Sequence, residues 1–404
     1  MCSDKLRFTL LYNLFNLWSR PYKKNPRLEV VDALRGFALL AILLVHNVEH
    51  YIFSVYPTES PAWLTSLDSV VNSVVFALFG GKAYAIFSLL FGFTFYVQYE
   101  NQRLCGRDFG LRFLWRLLGL VLFATLDALF FPGGDILLLY AIVGVALFVV
   151  RRWSNRAILL ASIIFFMQPM ELYHTVAALV DISHQLPDYG VGAMYAMLGE
   201  CCKPGSIAEF AWANITTGQL ASFMWAVGAG RLSQTAGLFL LGLYIGRKQR
   251  FVDTYESKKF WTRAFVIGAL LTVPLLLLYG AVAASDSVAA QSFAVAVDMW
   301  QKLAFTFVLL SSFVLLYRRD GIRSRIARLS TYGAMSLTNY VTQSIIGAAI
   351  YFPFGLYLAP YCGHSISLMI GVAIFVLQLS CSIWWSRRYG QGPLERLWHK
   401  WTWM

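Results

Sequence analysis

Three ionisable side chains with helical spacing close an apolar stretch near the N-terminus. His46, Glu49 and His50 end a segment that opens with Asp32 and Arg35. Residues four apart lie on one helix face, so the two imidazoles are expected side by side. Imidazole titrates near neutral pH, and either ring could act as general base toward an acceptor hydroxyl. The alternative is a pair of interfacial histidines that hydrogen-bond loop groups near the lipid headgroups.

The same histidines also spell H-x-x-E-H, an inverted zinc-protease pattern. This pattern is short and ends an apolar run, so we expect no metal site. The six cysteines are scattered and have no metal-ligand spacing. Whether Cys201, Cys202 and Cys362 form a disulfide is left open by the sequence.

Two carboxylates are candidate partners for these histidines. Asp135 follows a Pro-Gly-Gly turn and opens an apolar run, where it would cap a helix, orient a histidine or bind an acceptor hydroxyl. Asp68 precedes the next apolar run and is a candidate histidine partner. We therefore predict a catalytic group of His46, His50, Asp68 and Asp135.

Four further polar side chains are candidates for binding the substrate or the acyl donor. Arg35 either pairs with Asp32 or contacts anionic groups such as coenzyme A phosphates, which suit a guanidinium. Lys82 is an isolated cation in a glycine-rich turn, where it pairs with an acid or contacts a lipid or substrate anion. Asn339 and Gln343 lie four apart and either join helices or line a substrate tunnel.

The composition predicts an all-α integral membrane protein. Of the 404 residues, 58% are hydrophobic and only 13% charged, against about a quarter charged in soluble domains. The apolar runs lack the strict alternation of barrel strands, so we expect a bundle of about ten transmembrane helices. The expected spans are 34–54, 83–98, 112–131, 135–150, 157–178, 233–246, 260–282, 296–317, 332–358 and 365–386.

The basic residues predict the orientation of this bundle. Most of them fall in alternate loops and at both termini, so both termini are expected in the cytoplasm. Four cations remain outside these loops: Lys82, Lys203, Arg231 and Lys302. The net charge of +12 is therefore a topology signal, and no nucleic-acid partner is expected.

The chain divides into four predicted segments. Residues 1–28 form an N-terminal interfacial segment, and 29–182 form the N-terminal transmembrane half. Residues 183–225 are more polar and are expected to form an external loop with short amphipathic helices. Residues 226–404 form the C-terminal transmembrane half.

Several segments resemble the YeiB-like family of bacterial membrane proteins, also known as domain of unknown function 418. The resemblance is carried by six segments in order: Asp32-Ala-Leu-Arg-Gly-Phe-Ala-Leu-Leu-Ala-Ile-Leu-Leu-Val, Lys82-Ala-Tyr-Ala-Ile-Phe-Ser-Leu-Leu-Phe-Gly, Gly134-Asp-Ile-Leu-Leu-Leu-Tyr-Ala, Leu240-Leu-Gly-Leu-Tyr-Ile-Gly-Arg, Met335-Ser-Leu-Thr-Asn-Tyr-Val-Thr-Gln-Ser and Gly392-Pro-Leu-Glu-Arg-Leu-Trp. It implies a location in the bacterial plasma membrane.

This family is similar to a wider group of transmembrane acyltransferases that includes the lysosomal heparan-glucosaminide acetyltransferase. The similarity implies acyl transfer from cytosolic acyl-CoA to an acceptor on the far side of the membrane. The chain departs from this pattern at three places. It reads Ser60-Pro-Ala-Trp where the lysosomal enzyme has its catalytic histidine. His46 stands where the family usually has asparagine, and Asp127 where it often has histidine.

The leading hypothesis is a membrane acyltransferase with acyl-CoA as donor and a small molecule, lipid or glycan as acceptor. The alternative is a transporter or exporter of a small anion or lipid without covalent chemistry. A structural or resistance-associated membrane partner is a third possibility. Membrane lipids are expected partners in each case, and homo-oligomerisation stays open.

Overall fold

The fold is all-helical, as the composition predicts. The computed structural model describes residues 28–131, 136–201 and 207–404, and every regular element in these ranges is a helix. The helices are α1 (Glu29–Val48), α2 (Ala62–Phe79), α3 (Ala83–Leu104), α4 (Gly110–Ala128), α5 (Leu137–Val150), α6 (Asn155–Phe166), α7 (Pro169–Val180), α8 (Val191–Cys201), α9 (Ile207–Ala213), α10 (Gln219–Gly228), α11 (Arg231–Arg247), α12 (Tyr255–Ala283), α13 (Val288–Tyr317), α14 (Asp320–Ile326), α15 (Arg328–Ala334), α16 (Ser336–Tyr351), α17 (His364–Tyr389) and α18 (Pro393–Trp403).

Helix α1 lies at the centre of the bundle. It contacts α2, α3, α13, α15, α16 and α17, and most of its apolar side chains are buried. Glu29 and Asp32 stand in its first turn, where carboxylates complement the helix dipole. The central helix therefore carries polar groups into the interior from both of its ends.

Glycines allow two helix crossings in which backbones nearly touch. A Cβ on Gly242 of α11 would lie 2.0 Å from the Leu89 carbonyl oxygen of α3, and one on Gly92 would lie 2.0 Å from the Phe239 carbonyl oxygen. In the crossing of α1 with α15, a Cβ on Gly333 would lie 1.9 Å from the Asp32 carbonyl oxygen. Such close approach is the usual means by which helices associate within a membrane.

Fewer helices than predicted meet the criteria for membrane spans. By length and composition, four helical runs in the described ranges could cross a membrane, namely Ala62–Leu104, Tyr255–Ala283, Val288–Tyr317 and His364–Tyr389. The count rises to five if the bent pair α6 and α7 forms one span. The expectation of about ten is not met, because several apolar helices are short: α5 has 14 residues, α11 has 17 and α16 has 16.

The boundaries of two predicted spans also need correction. The run at 157–178 is broken by Gln168, whose backbone is left-handed, and its two halves are bent by 47°. The run at 332–358 is interrupted at Met335 between α15 and α16. Residues 62–79 form a helix although the sequence favoured a loop there. The described part of residues 183–225 contains short helices, and residues 1–27 lie outside the described ranges. Among the described cysteines, Cys201 and Cys362 are free thiols, and Cys202 is not described.

The loops that carry the basic residues lie together at one end of the bundle. Arg247 at the end of α11 donates to the Arg151 carbonyl, 2.6 Å away, and Arg152 lies 3.1 Å from Asp108 in the loop before α4. Arg112 of α4 donates to a backbone carbonyl of α18. Loops distant in sequence thus form one basic surface, which we call the basic end.

The C-terminal helix α18 holds the start of α16. Both Glu395 carboxylate oxygens are engaged there. One accepts hydrogen bonds from the backbone N–H groups of Leu337 and Thr338, at 2.7 and 3.1 Å, and the other accepts from the Thr338 hydroxyl. A carboxylate at a helix N-terminus satisfies free N–H groups and complements the dipole. This contact gives a physical reason for the glutamate in the last segment of the family resemblance.

At its opposite end α1 stops in an unusual left-handed turn. His50, Tyr51 and Ile52 all have positive φ angles, between 49° and 66°. The left-handed region costs non-glycine residues roughly 1–2 kcal/mol each. Packing compensates for this cost: the Tyr51 ring is fully buried against Gly347, where a Cβ would lie 2.1 Å from the ring.

His50 fixes the same turn through both ring nitrogens. Its Nδ1 donates to the Val55 carbonyl at 2.8 Å, and its Nε2 accepts from the Ser367 hydroxyl at 2.7 Å. The ring stacks between Tyr56 and Tyr351. Burial lowers the pKa of His50 from 6.5 to about 4; the Val55 hydrogen bond opposes this shift and nearby His364 adds to it.

The close crossing of α3 and α11 predicts that Gly242→Ala destabilises the fold. The added methyl group overlaps the Leu89 carbonyl, so we expect the free energy of unfolding to fall by about 1–3 kcal/mol. Thermal unfolding in detergent measures this change. Gly280→Ala in α12 is the matched control, because beyond its own helical turns no atom lies within 4 Å of its Cβ position. Equal unfolding midpoints for the two variants would contradict the proposed crossing.

The neutral state of His50 predicts a stability that depends on pH. A lowered pKa in the folded protein means that the contribution of His50 is complete above pH 6.5 and is lost as the pH falls toward 4. The wild-type protein should lose about 3 kcal/mol of stability over this window beyond the loss shown by His50→Gln. Unfolding midpoints measured from pH 7 to 4 test this difference, and parallel curves would refute it.

Candidate functional site

Two cavities lie along α1. One has a volume of about 320 Å³ and includes Arg35; the other has a volume of about 580 Å³ and includes His46. We call them the Arg35 cavity and the His46 cavity. The eleven residues from Arg35 to His46 correspond to roughly 16 Å along a helix. The two cavities are therefore stacked along the central helix.

The Arg35 cavity combines two guanidinium groups with an aromatic lining. Its polar residues are Arg35, Thr94, Gln98, Arg116, Ser336, Gln391, Glu395 and His399. Its aromatic residues are Phe87, Phe91, Phe95, Phe113, Tyr140, Tyr340 and Trp398. An elongated ligand with an anionic end and an apolar chain fits such a lining.

Both arginines of this cavity are held in place by neighbouring side chains. Arg35 donates to the Asp32 carboxylate and to the Thr94 hydroxyl, each at 2.6 Å. The Arg116 guanidinium lies 3.5 Å from the ring centre of Trp398 in α18. The predicted pairing of Arg35 with Asp32 is present, and the same guanidinium also lines the cavity.

In the second cavity, His46 is oriented by a carboxylate one turn further along. His46 Nδ1 lies 2.5 Å from Glu49 Oε1. A carboxylate on Nδ1 fixes the tautomer of an imidazole and leaves Nε2 to accept a proton. The partner of His46 is thus Glu49, and neither Asp68 nor His50 takes this position.

Three cations line the same cavity. They are Lys82 between α2 and α3, Arg231 at the start of α11 and Lys302 in α13. Lys302 forms an ion pair with Asp298. Lys82 is only 5% exposed. The prediction that Lys82 belongs to a polar site is therefore compatible with its position beside His46.

A thin wall separates the two cavities. Ile42 of α1, Ile136 before α5 and Tyr340 of α16 line both of them. Ile42 precedes His46 by about one helical turn. A rearrangement of these three side chains would connect the basic end of the bundle with the His46–Glu49 pair.

The other predicted catalytic residues lie elsewhere. His50 is buried in the left-handed turn and lines neither cavity. Asp68 accepts a hydrogen bond from the Ser365 N–H at 2.7 Å, at the first turn of α17. This contact is typical of a helix cap. Asp135 lies outside the described residues, so its assignment stays a prediction.

Asn339 and Gln343 take part in a buried network that joins helices. Asn339 Nδ2 lies 3.0 Å from the Ser382 hydroxyl of α17, and Gln343 Nε2 donates to the Tyr332 hydroxyl at 2.8 Å. Tyr332 in turn donates to Gln378. Neither residue lines the two cavities. Their geometry favours the helix-joining alternative over the substrate tunnel.

Sequence reasoning missed several residues of the two cavities. Glu49 was visible at helical spacing from His46, and that spacing could have identified the pair. Arg231 and Lys302 were visible as cations that the loop count left unassigned. Arg116 was counted as a loop residue, and only the tertiary structure shows it beside Arg35. In the described part of the chain, no three histidine, cysteine or acidic side chains are arranged to hold a metal ion.

Comparison with known proteins gives one family match. Residues 245–404 match the model described as "Protein of unknown function (DUF418)". Among curated proteins, "Uncharacterized protein YxaH" of Bacillus subtilis is 25% identical over 95% of this chain and 96% of its own length.

Two further relatives are similar over nearly the whole chain. "Uncharacterized 39.9 kDa protein in amylase 3'region" of Bacillus acidopullulyticus is 26% identical over 95% of both chains. "Uncharacterized protein YeiB" of Escherichia coli is 24% identical over 92% of this chain and 95% of its own length. The C-terminal part of the chain thus matches the DUF418 family model, and nearly the whole chain is similar to YeiB and YxaH.

Proposed function

We propose that this protein is an integral-membrane acyltransferase that passes an acyl group from acyl-CoA to an acceptor. The observation that carries the proposal is the pair of cavities along α1, which share only the wall of Ile42, Ile136 and Tyr340. One cavity has the chemistry of an anionic donor site, and the other contains an oriented histidine. Such an arrangement suits transfer between two substrates that approach from opposite ends of a bundle.

In this proposal acyl-CoA binds from the basic end. Arg35 and Arg116 meet its phosphate groups, since guanidinium groups bind phosphate oxygens in pairs. The aromatic lining accepts the pantetheine arm and the acyl chain. The basic end faces the cytoplasm, both termini are cytoplasmic, and the protein lies in the bacterial plasma membrane with its shorter helices completing the transmembrane bundle.

His46 acts as the general base toward an acceptor in the other cavity. Glu49 holds Nδ1, so Nε2 takes the proton of the acceptor hydroxyl or amine. The freed oxygen or nitrogen attacks the thioester carbonyl and forms the new ester or amide bond. The carbon–sulfur bond breaks, and coenzyme A leaves as a thiolate that takes up a proton. No metal is needed for this sequence of steps.

The transporter alternative uses the same two cavities. Two polar cavities that are separated by a wall of side chains would also suit a gated permeation path. The alternative needs no acyl-CoA binding, and it predicts substrate flux into vesicles. Acyl-CoA binding with covalent transfer therefore separates the two hypotheses.

The proposal predicts that His46→Ala abolishes most acyl transfer. Loss of a general base typically lowers kcat by about 10²–10⁴-fold. The measurement is transfer of a radiolabelled acyl group from acyl-CoA to membrane acceptors by the purified protein in lipid vesicles. His184→Ala is the matched control, because His184 pairs with His174 and lines neither cavity.

Two results would contradict the proposal. One is transfer by His46→Ala at the wild-type rate, which would remove His46 from the chemistry. The other is the absence of both acyl-CoA binding and acyl transfer in the wild-type protein. If vesicles also showed substrate flux in that case, the transporter alternative would replace the enzyme.

A further inference from the structure

Three of the four cations that the loop count leaves unassigned converge in the His46 cavity. Lys82, Arg231 and Lys302 come from three separate segments of the chain and line one volume of about 580 Å³. Adjacent contacts connect them. The Lys302 side chain packs against Gly81, next to Lys82, and Arg231 stacks on Tyr84, two residues further on.

Lys82 is a buried cation with few bonds. It is 95% removed from solvent, and within the described ranges its ammonium donates one hydrogen bond, to the Phe76 carbonyl at 3.2 Å. No described carboxylate lies within 4.0 Å of it. An ammonium has three N–H donors, and burying it without a counter-ion is costly. A ligand anion would remove this cost.

Two aromatic rings hold the Arg231 guanidinium in one plane. Its central carbon lies 4.6 Å from the ring centre of Tyr84 and 4.2 Å from that of Trp225. In the described part of the chain, none of its five N–H donors has a hydrogen-bond acceptor. Two aromatic faces thus fix the plane of the group while its edge stays available to a planar or tetrahedral anion.

The charges of the cavity favour an anionic ligand. Asp298 neutralises one of the three cations through Lys302. Among the described residues, Glu49 is the carboxylate that lines this cavity, and it is bonded to His46. These described groups together leave one excess positive charge when His46 is neutral and two when it is protonated. A phosphate ester carries one to two negative charges near pH 7.

Two helix N-termini add to the positive electrostatic potential of the His46 cavity. Lys82 directly precedes α3, and Arg231 is the first residue of α11. Each start follows a glycine in the left-handed conformation, Gly81 or Gly230. Free N–H groups and the positive end of the helix dipole make such termini suitable for phosphate.

From these contacts we infer that the His46 cavity is a phosphate-binding site, with the phosphate held between Lys82, Arg231 and Lys302. Several ammonium and guanidinium donors match the oxygens of a phosphate ester better than the two oxygens of a carboxylate. Binding itself does not depend on acyl transfer. The role of the bound phosphate rests on the proposed function: the acceptor is a phosphate-bearing compound, either a lipid phosphate or a soluble phosphate ester.

Isothermal titration calorimetry of the full-length protein in detergent tests this site with three probes. They are inorganic phosphate, glycerol 3-phosphate and phosphatidic acid in mixed micelles, with diacylglycerol as the phosphate-free lipid control. The variants are Lys82→Gln and Arg231→Gln, and Lys259→Gln on the exposed face of α12 is the matched control. Thermal unfolding midpoints show that each variant is folded.

We expect at least one phosphate probe to bind saturably, while diacylglycerol does not. Each cavity variant should weaken binding by about tenfold or more, since each removes a charged hydrogen-bond donor to the phosphate. Lys259→Gln should bind as the wild type does. Because the two cavity residues belong to different segments of the chain, a folding defect in one variant leaves the other as a test.

The probes also identify the source of the phosphate. Binding of phosphatidic acid alone points to a lipid, and binding of glycerol 3-phosphate points to a soluble ester. Absence of binding by all three probes, or binding unchanged in both folded variants, would overturn the inference. Phosphate binding without acyl-CoA binding would leave this site intact and refute the proposed transfer.

Discussion

Helix α1 is surrounded by other helices, so its polar side chains must find partners inside the protein. Asp32 is 4% exposed and Asn47 is fully buried. Unsatisfied polar groups in such surroundings cost several kcal/mol. Asp32 binds Arg35, and Asn47 accepts from Tyr351. The need for these hydrogen bonds helps to position the neighbouring helices, because they carry partner groups level with the polar side chains of α1.

Close helix crossings determine where the bundle contains cavities. Glycine pairs bring α3 close to α11 and α1 close to α15, so these crossings leave no free volume. The two cavities lie where bulky aromatic and charged side chains meet, beside Arg35 and beside His46. The two ends of one helix thereby acquire different chemistry: paired guanidinium groups at the basic end, and an imidazole with a cation cluster at the other.

Sequence reasoning predicted the all-helical class and the single basic end, because apolar runs and alternating basic loops are local signals. It missed the helix at residues 62–79, whose scattered polar side chains resemble a loop. It also expected about ten spans, because composition does not reveal that α5 or α16 is short. His46 was identified, but its pairing with Glu49 was not weighed. Lys82, Arg231 and Lys302 come from three distant segments of the sequence, so only the tertiary contacts reveal their cluster, although the loop count had already left these cations unassigned.

The central claim is that an acyl chain entering at the basic end reaches the wall between the two cavities. Photocrosslinking with an acyl-CoA that carries a photoreactive group at the end of its acyl chain tests this claim most directly. The labelled residues are then identified by peptide mass spectrometry. Labels on Ile42, Ile136 or Tyr340, competed by unlabelled acyl-CoA, are the predicted result. Labels confined to the lipid-facing surface of α12, with none at the wall, would contradict the account.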